Sequence, residues 1–348
     1  MRKFFAKAYL NPVTTNQSPP TPASSLAPWP WSRPAHGQGR NHFYLWADSL
    51  TLLVIVFLMG CTPKTESRIQ AEALAASGKS GQPVTFQLPN GLPLPVRWIA
   101  PGAYRIGSPE SEEGRLKDEL LHEVQITEGF FITETEISQQ QWSPLLPKNP
   151  SKNAHPNCPV ENVSWEEART FCRLLTEHHD RTGDLLDGWE WDLPTEAQWE
   201  IACRADNPNP TFDRLESIGW YAQNSGGVPH PVGLKSANAW GLKDMHGNVA
   251  EWCVDWFSDY PTNHVLWIDP VGPIWSFAQV TRGGHFKSTA NECRSAARAV
   301  GIPKQAKDPS VQKLLDEQLK TKEMEGLETA PNSKLGFRPV LKLSLIHI

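Results

Sequence analysis

The chain has 348 residues and a formal net charge of −5, so its length allows one large domain or two small ones. It carries no basic stripe, which argues against a nucleic-acid partner. Its 15 Trp, 24 Gly and 31 Pro favour irregular backbone held by bulky side chains over a long regular bundle. We interpret the tryptophans as core residues, with a sugar-stacking surface as the alternative.

The first 61 residues are interpreted as a leader. Residues 12–40 are rich in Pro, Ser, Ala and Thr and cannot bury a core. The apolar run 52–61 is too short to span a bilayer comfortably and suits the central region of a signal peptide. Residues 58–61 resemble a bacterial lipobox, which predicts lipidation at Cys61 and an exported lipoprotein of the cell envelope, periplasmic or on the cell surface. An uncleaved membrane anchor and a cytoplasmic protein are the alternatives.

After the leader, residues 62–82 contain Lys, Ser, Gly and Ala and are interpreted as a linker. Residues 83–343 are predicted to form one domain without an internal repeat. Short strands are predicted at its start, on both sides of the Pro101-Gly102 turn (96–99 and 104–107) and as a hairpin (124–127 and 129–132).

Three helix starts carry the capping-box pattern, in which a Ser or Thr is followed three residues later by Glu or Gln. They are Ser138 with Gln141, Ser164 with Glu167, and Thr195 with Gln198. At each start a side-chain oxygen can accept from an otherwise unpaired amide, worth about 1 kcal/mol. We assign these residues no chemistry.

A further helix is predicted over residues 308–325. Asp308 can cap it, Pro309 suits its first position and Gly326 can end it. Its narrow apolar stripe lies on an otherwise charged surface. The segment is interpreted either as a solvated helix lying on the domain or as a partner-binding element.

Several motifs follow one another in an order that carries a family resemblance. Residues 241–256 read GLKDMHGNVAEWCVDW, residues 282–286 read RGGHF, and residues 336–339 read GFRP; upstream lie PVENVSW at 159–165 and LPTEAQWE at 193–200. Together they resemble the sulfatase-modifying-factor family, whose best-known member is the formylglycine-generating enzyme. The resemblance implies an α+β fold, similar to C-type lectins and low in regular secondary structure. It also implies that Trp252, Trp256, Arg282 and Arg298 are structural.

The same resemblance implies a calcium site in the loop 244–251. Asp244 and Glu251 would bind through their side chains, and Gly247 and Val249 through their carbonyls. Calcium takes six to eight oxygen ligands, which two carboxylates, carbonyls and water can supply. The alternative is that Glu251 accepts backbone amides in a tight loop.

The family's oxidase reaction depends on two cysteines that follow the Arg-Gly-Gly sequence. Here Ser288 occupies the first position and Cys293 the second by spacing, so these two are the candidate catalytic residues. Two thiolates bind Cu(I), whereas a hydroxyl is a hard ligand and does not replace one; we therefore do not expect copper. Counted back from Arg298, Cys293 matches a non-catalytic position. His285 replaces the Ser that usually follows the glycine pair and is the candidate substrate-binding residue.

The remaining Cys and His residues suggest structural roles. Cys203 lies among apolar positions of a predicted helix, where a thiol acts as a small hydrophobe. An exported context permits Cys253 and Cys293 to pair. His246 and His285 lie in the two signature loops, where they have the opportunity to converge. His179 ends a predicted helix and is expected to interact favourably with its C-terminus.

Three functions are compatible with these observations. The first is an exported binding or accessory version of the fold that holds a protein or glycan partner at the cell envelope. The second is a divergent formylglycine-generating oxidase, or a maturation enzyme, that converts a cysteine of a sulfatase-type substrate. The third is a scaffold whose 308–325 helix docks a neighbour.

Overall fold

The computed structural model describes residues 64–207, 214–260, 266–302, 328–329 and 332–344. The predicted leader with Cys61 and the predicted 308–325 helix lie outside these ranges. Within them, no helix has both the length and the apolar character needed to cross a bilayer.

Short helices and strands alternate along the described chain. The helices are α1 (Glu66–Ser77), α2 (Gln139–Trp142), α3 (Trp165–Thr182), α4 (Glu196–Arg204) and α5 (Leu215–Ile218). The strands are β1 (Pro83–Gln87), β2 (Pro93–Ile99), β3 (Gly102–Ile106), β4 (His122–Ile126), β5 (Phe130–Thr133), β6 (Trp189–Asp192), β7 (Gly219–Trp220), β8 (His246–Gly247), β9 (Ala250–Trp256), β10 (Trp267–Ile268), β11 (Gln279–Arg282), β12 (Arg298–Gly301), β13 (Glu328–Thr329), β14 (Leu335–Gly336) and β15 (Val340–Leu343).

The described strands form small sheets whose neighbours are mostly distant in sequence. One sheet has the order β1-β2-β5-β15-β6 and another has the order β13-β12-β11-β9-β14. A three-stranded sheet, β10-β4-β3, and the pair β7-β8 complete the arrangement. This mixed architecture confirms the α+β fold with short regular elements.

The predicted hairpin over residues 124–132 is wrong. Both strands form, but β4 pairs with β3, whereas β5 pairs with β2 and β15. The chain turns between them at Gly129, where an added Cβ would lie 2.3 Å from the Trp98 ring. Since all four residues of β5 are buried, this strand gains more by lying inside a sheet than by pairing with its sequence neighbour.

All three predicted capping boxes are confirmed. In each box the side-chain oxygen of the Gln or Glu accepts from the amide of the cap residue three positions earlier. The cap oxygens of Ser164 and Thr195 also accept the amides of Glu167 and Gln198. Helix α3 ends at Gly183, which takes the left-handed conformation with φ 79°. That conformation carries no Cβ penalty for glycine.

The linker interpretation of residues 62–82 needs correction, because most of this segment packs on the domain. Thr65 caps α1, and Ala71 in its middle is fully buried in the same cluster as Trp98. The Trp98 indole donates to the Gly78 carbonyl at 3.2 Å. The small side chain of Ala71 lets the helix pack against the core. The same alanine-rich composition had suggested a linker.

The core interpretation of the tryptophans is confirmed for most of those that lie in the described ranges. The side chains of Trp98, Trp142, Trp199 and Trp252 are among the largest that are fully buried. Trp275 differs, since it is 73% exposed. The buried indoles fill space between short elements that could not otherwise enclose a core.

Candidate functional site

The two signature segments are neighbours in space. Strand β9 pairs antiparallel with β11, so that Glu251 lies opposite Arg282. Strand β14 then pairs with β9, which places Gly336 opposite Glu251. Beyond the strands, the Gly247 amide donates to the Gly283 carbonyl at 2.7 Å. The three motifs therefore build one region of the domain.

Three signature arginines are buried, and each contacts a buried carboxylate. Arg282 pairs with Glu200, Arg298 with Glu196, and Arg338 with Glu251. A buried guanidinium is retained only where such a partner and further acceptors satisfy it. Arg282, for example, also donates to the carbonyls of Ala296 and Ala297 at 2.8 and 2.6 Å. These contacts agree with the structural role that the resemblance implies for Arg282 and Arg298.

A pocket of about 240 Å³ lies along the second signature segment, and we call it the 282–298 pocket. Gly283 (φ 90°) and Gly284 (φ 68°) turn the chain sharply at its edge. Arg294, which lines the pocket, donates to the Gly114 carbonyl at 2.7 Å and pairs with Glu119. This pairing holds the 108–120 segment against the pocket as one of its walls.

His285 lines the 282–298 pocket and contacts Ser288. Its Nδ1 atom lies 3.2 Å from the Ser288 Oγ and receives the Lys287 amide at 3.0 Å. Its Nε2 atom lies 3.1 Å from the Lys334 ammonium. The candidate substrate-binding residue is therefore at a pocket, and the Ser288 hydroxyl at the first copper position contacts an imidazole.

Cys293 lies beneath the glycine pair. The side chain is 1% exposed, and its sulfur is 2.8 Å from where a Cβ on Gly284 would lie. Its carbonyl accepts from His246 Nδ1 at 2.8 Å. Cys253 is a free thiol, so the Cys253–Cys293 bridge considered from the sequence is not formed.

His246 and His285 line different pockets. His246 borders a pocket that also contains Cys203, whereas His285 belongs to the 282–298 pocket. Sequence reasoning missed the Cys203–His246 contact, because the two residues lie 43 positions apart and no local pattern joins them.

The four expected calcium ligands lie in one buried loop, but the two carboxylates differ in their availability. Glu251 accepts from Arg338 at 2.6 and 2.7 Å and from the Trp199 indole at 2.7 Å. Asp244 accepts the Gly233 amide at 2.6 Å through one oxygen, while its other oxygen is buried without a hydrogen bond in the described structure. The loop thus offers Asp244 to a cation, whereas Glu251 is held by Arg338.

Gly247 and Val249 were expected to bind calcium through their carbonyl oxygens. In the structure their backbone amides donate hydrogen bonds to other parts of the domain. The Val249 amide donates to Glu136 at 2.9 Å. Burial, and then the negative charges of Asp244 and Glu251, raise the pKa of Glu136 well above its usual range. In the described ranges, no group of three or more His, Cys, Asp or Glu is arranged to hold a metal. Calcium at this loop stays a prediction.

Comparison with known proteins agrees with this arrangement. The family described as "Sulfatase-modifying factor enzyme 1-like domain" matches residues 95–310. The chain is 27% identical over 209 residues to the "Chaperone protein LppX" of Paenibacillus barcinonensis, covering 47% of this chain and 71% of that protein. It is 33% identical over 168 residues to the formylglycine-generating enzyme of Streptomyces coelicolor, covering 42% of this chain and 49% of the enzyme. The matched part thus spans about half the length of that enzyme.

Among solved structures, "Treponema denticola variable protein 1" is similar, with a TM-score of 0.59 and 24% identity. The match covers 74% of this chain and 98% of that one. At this identity the likeness concerns the fold, and it agrees with the α+β architecture. The motifs, their placement on neighbouring strands and the family match over more than half of the sequence lead to one conclusion: this chain belongs to the sulfatase-modifying factor enzyme 1-like domain family.

Proposed function

We propose that this chain is a binding or accessory member of its family and not a copper-dependent oxidase. The single observation that carries the proposal is the contact between Ser288 and His285. A hydroxyl hydrogen-bonded to an imidazole stands where the oxidase mechanism requires the first of two thiolates. Cu(I) selects soft sulfur ligands, so Cys293 alone offers it half of the expected pair.

The 282–298 pocket is the proposed binding surface. His285, Arg294 and Glu292 supply polar groups to its lining. Concave sites with a few convergent polar groups are the usual binding places of a protein. The Arg294–Glu119 pair keeps the pocket wall in place. The pocket is therefore already formed before a partner segment binds.

We propose that the partner is a protein rather than a glycan. The support is the relative named as a chaperone protein, whose aligned part includes 71% of its length. We also propose an exported lipoprotein attached to the bacterial envelope through a lipid on Cys61, and the support is the lipobox-like sequence at residues 58–61. Substitution of Cys61 by Ala should then move the protein from the membrane fraction to the soluble fraction.

The decisive experiment is an oxidation assay on the purified full chain. The protein is supplied with Cu(I), dioxygen and a sulfatase-type peptide that contains one cysteine, and the peptide is analysed by mass spectrometry. The formylglycine-generating enzyme of Streptomyces coelicolor serves as positive control. We expect no formylglycine from this chain and no retained copper.

The alternative is a divergent oxidase or maturation enzyme, favoured by the enzyme relatives. Formation of formylglycine that is lost in Cys293→Ser would establish it and overturn the proposal. Full activity in the Cys293→Ser variant would remove Cys293 from any such mechanism.

Partner binding is tested separately by crosslinking. A photo-crosslinking residue is placed either at position 289, at the pocket, or at position 69, which is 56% exposed on α1. Only position 289 should give a crosslinked product.

A further inference from the structure

Exposed hydrophobic side chains are concentrated in residues 266–275, which we call the 266–275 segment. Eight large hydrophobic side chains are exposed in the described ranges, and five of them belong to this segment. They are Leu266, Ile268, Val271, Ile274 and Trp275. Ile274 is fully exposed, and Trp275 is 73% exposed. Single exposed apolar residues are ordinary on a protein surface, whereas a group of them marks a place of contact.

The fold holds this segment in place. Strand β10, at its start, pairs parallel with β4, and the Asp269 carboxylate accepts from the Thr127 amide at 2.8 Å. Asp255 accepts from the Gly272 amide at 2.7 Å. A Cβ on Gly272 would lie 2.4 Å from the Trp256 carbonyl oxygen, so the backbone lies directly on β9. The exposed side chains are therefore presented by a tightly packed chain.

The segment carries almost no free charge. Asp269 is its only charged residue, and the amide and hydroxyl of Thr127 both donate to its carboxylate. No Lys or Arg lies between residues 256 and 281, so attraction to lipid phosphates is not the basis of a contact here. Trp and aliphatic side chains without charge are the composition that enters a membrane interface by hydrophobic burial.

The backbone of the segment is also suited to a place without water. The Asp269 amide donates to the Gln125 carbonyl at 2.8 Å, and the Gly272 amide is bonded as described above. Pro270 and Pro273 have no amide hydrogen. Four of the five positions from 269 to 273 therefore offer no unpaired N–H group. A lipid environment requires paired backbone groups, which a loop in water does not need.

The proposed lipid on Cys61 would keep the domain close to a bilayer. Three residues separate Cys61 from Thr65, a span of at most about 14 Å. Thr65 is joined to the domain by its hydrogen bond to Asp184 at 2.5 Å. Asp184 follows the C-terminal end of α3, so the attachment point lies at that end of the helix.

The 266–275 segment lies at the opposite end of α3. Trp165 is the first residue of this helix, and its ring is 6.4 Å from that of Trp256. The Trp256 ring is in turn 6.4 Å from that of Trp275. The 18 residues of α3 span about 27 Å. A bilayer can therefore meet both the attachment point and the segment when α3 lies along its surface.

We propose that the 266–275 segment is a membrane-contact surface that inserts Ile274 and Trp275 into the interface of a phospholipid bilayer. This surface deepens the proposed envelope location and rests on it, since the lipid on Cys61 supplies the high local concentration. Two apolar side chains bind weakly by themselves. The segment therefore orients the anchored domain and does not attach it alone.

The test is photo-crosslinking of the full chain in phosphatidylcholine vesicles. A photo-crosslinking residue replaces either Ile274 or Leu234, which is 63% exposed and lies outside the segment. Adducts are identified by intact mass after illumination. We expect lipid adducts from position 274, with a yield on the order of tenfold above that from position 234.

Variants then test the contribution of Trp275. With the crosslinking residue at position 274, Trp275→Ser should lower the lipid yield on the order of tenfold, and Trp275→Phe should keep most of it. Leu234→Ser is the matched control and should change nothing. Higher salt should not lower the yield, because the segment has no basic side chain.

Three results would each overturn the proposal: equal lipid yields from positions 274 and 234, an unchanged yield in Trp275→Ser, or adducts from position 274 that contain only a second protein chain. Mass analysis of the N-terminal peptide shows separately whether Cys61 carries a lipid. Lipid adducts from an unlipidated chain would refute the anchor alone, whereas a lipidated chain without them would refute the membrane contact alone.

Discussion

The Arg338 guanidinium contacts both oxygens of the Glu251 carboxylate, at 2.6 and 2.7 Å, with both side chains almost fully excluded from solvent. Arg338 comes from the motif at residues 336–339 and Glu251 from the one at residues 241–256, so this ion pair joins two motifs that are distant along the chain. Burial alone would lower the pKa of Arg338, but the charge of Glu251, and then those of Glu136 and Asp244, raise it above its ordinary value.

Breaking this pair should destabilise the domain strongly. Arg338→Met leaves Glu251 charged and buried, which costs about 3–5 kcal/mol of unfolding free energy. Arg173→Met is the matched control, since Arg173 pairs with Glu177 on the exposed side of α3 and should cost less than about 1 kcal/mol. Urea unfolding measures both. Equal stability of the two variants would contradict a structural role for Arg338, and the double variant Arg338→Met with Glu251→Gln should recover part of the loss.

Calcium should stabilise the chain through Asp244, whose Oδ1 atom is buried without a donor in the described ranges. A ligand that binds only the folded state at one hundred times its dissociation constant adds about 2.7 kcal/mol. We expect calcium to raise the thermal unfolding midpoint, EGTA to reverse the effect, and Asp244→Asn to remove it. Asp187→Asn, at a side chain 89% exposed, should keep the response. An unchanged midpoint in the wild-type chain would rule out the site.

His179 should make stability fall in mild acid. Burial lowers its pKa from 6.5 to about 4, so the unfolded chain takes up the proton first. The stabilisation is complete above pH 6.5 and is lost as the pH falls towards 4, by about 3 kcal/mol in total. The neutral ring accepts from Trp191 and faces the Gln87 carbonyl, so its side chain is used by other elements and not by the helix C-terminus, which the sequence had suggested.

His179→Gln keeps both hydrogen-bonding capacities and should reduce the fall in unfolding free energy between pH 6.5 and 4. The part due to His178, whose pKa is also lowered by burial, should remain. The exposed His155 provides the control substitution His155→Gln. The nearby Asp184 has a pKa below its ordinary 3.8, so its own contribution is lost only at lower pH. An unaltered pH profile in His179→Gln would show that another group is responsible.

Gly301 should tolerate no larger residue. A Cβ at this position would lie 2.1 Å from the Trp252 ring, and overpacking of this kind costs about 1–3 kcal/mol. Gly102→Ala is the control, because its Cβ would meet the Tyr104 ring at an ordinary 3.5 Å. Thermal unfolding of the two variants should differ clearly, and Trp252→Phe should partly rescue Gly301→Ala.

Local features were predictable from the sequence, whereas contacts between distant segments were not. The capping boxes depend on residues three positions apart, and all three form. The 124–132 hairpin failed because β5 finds its partners in β2 and in β15, which lies more than two hundred residues away along the chain. The family motifs did identify Glu251, Arg282 and Arg338, and the structure brings them together on or next to the neighbouring strands β9, β11 and β14. The Cys203–His246 contact arises from tertiary packing, and the sequence around neither residue predicts it.

The position of β15 has a consequence for biosynthesis. This strand lies between β5 and β6, although it is translated after every other strand described. Until Val340–Leu343 leaves the ribosome, β5 and β6 each present an unpaired edge that can recruit strands from other chains. The main sheet therefore cannot close before Val340–Leu343 has been synthesised, and truncation before Val340 should yield aggregates rather than a smaller folded domain.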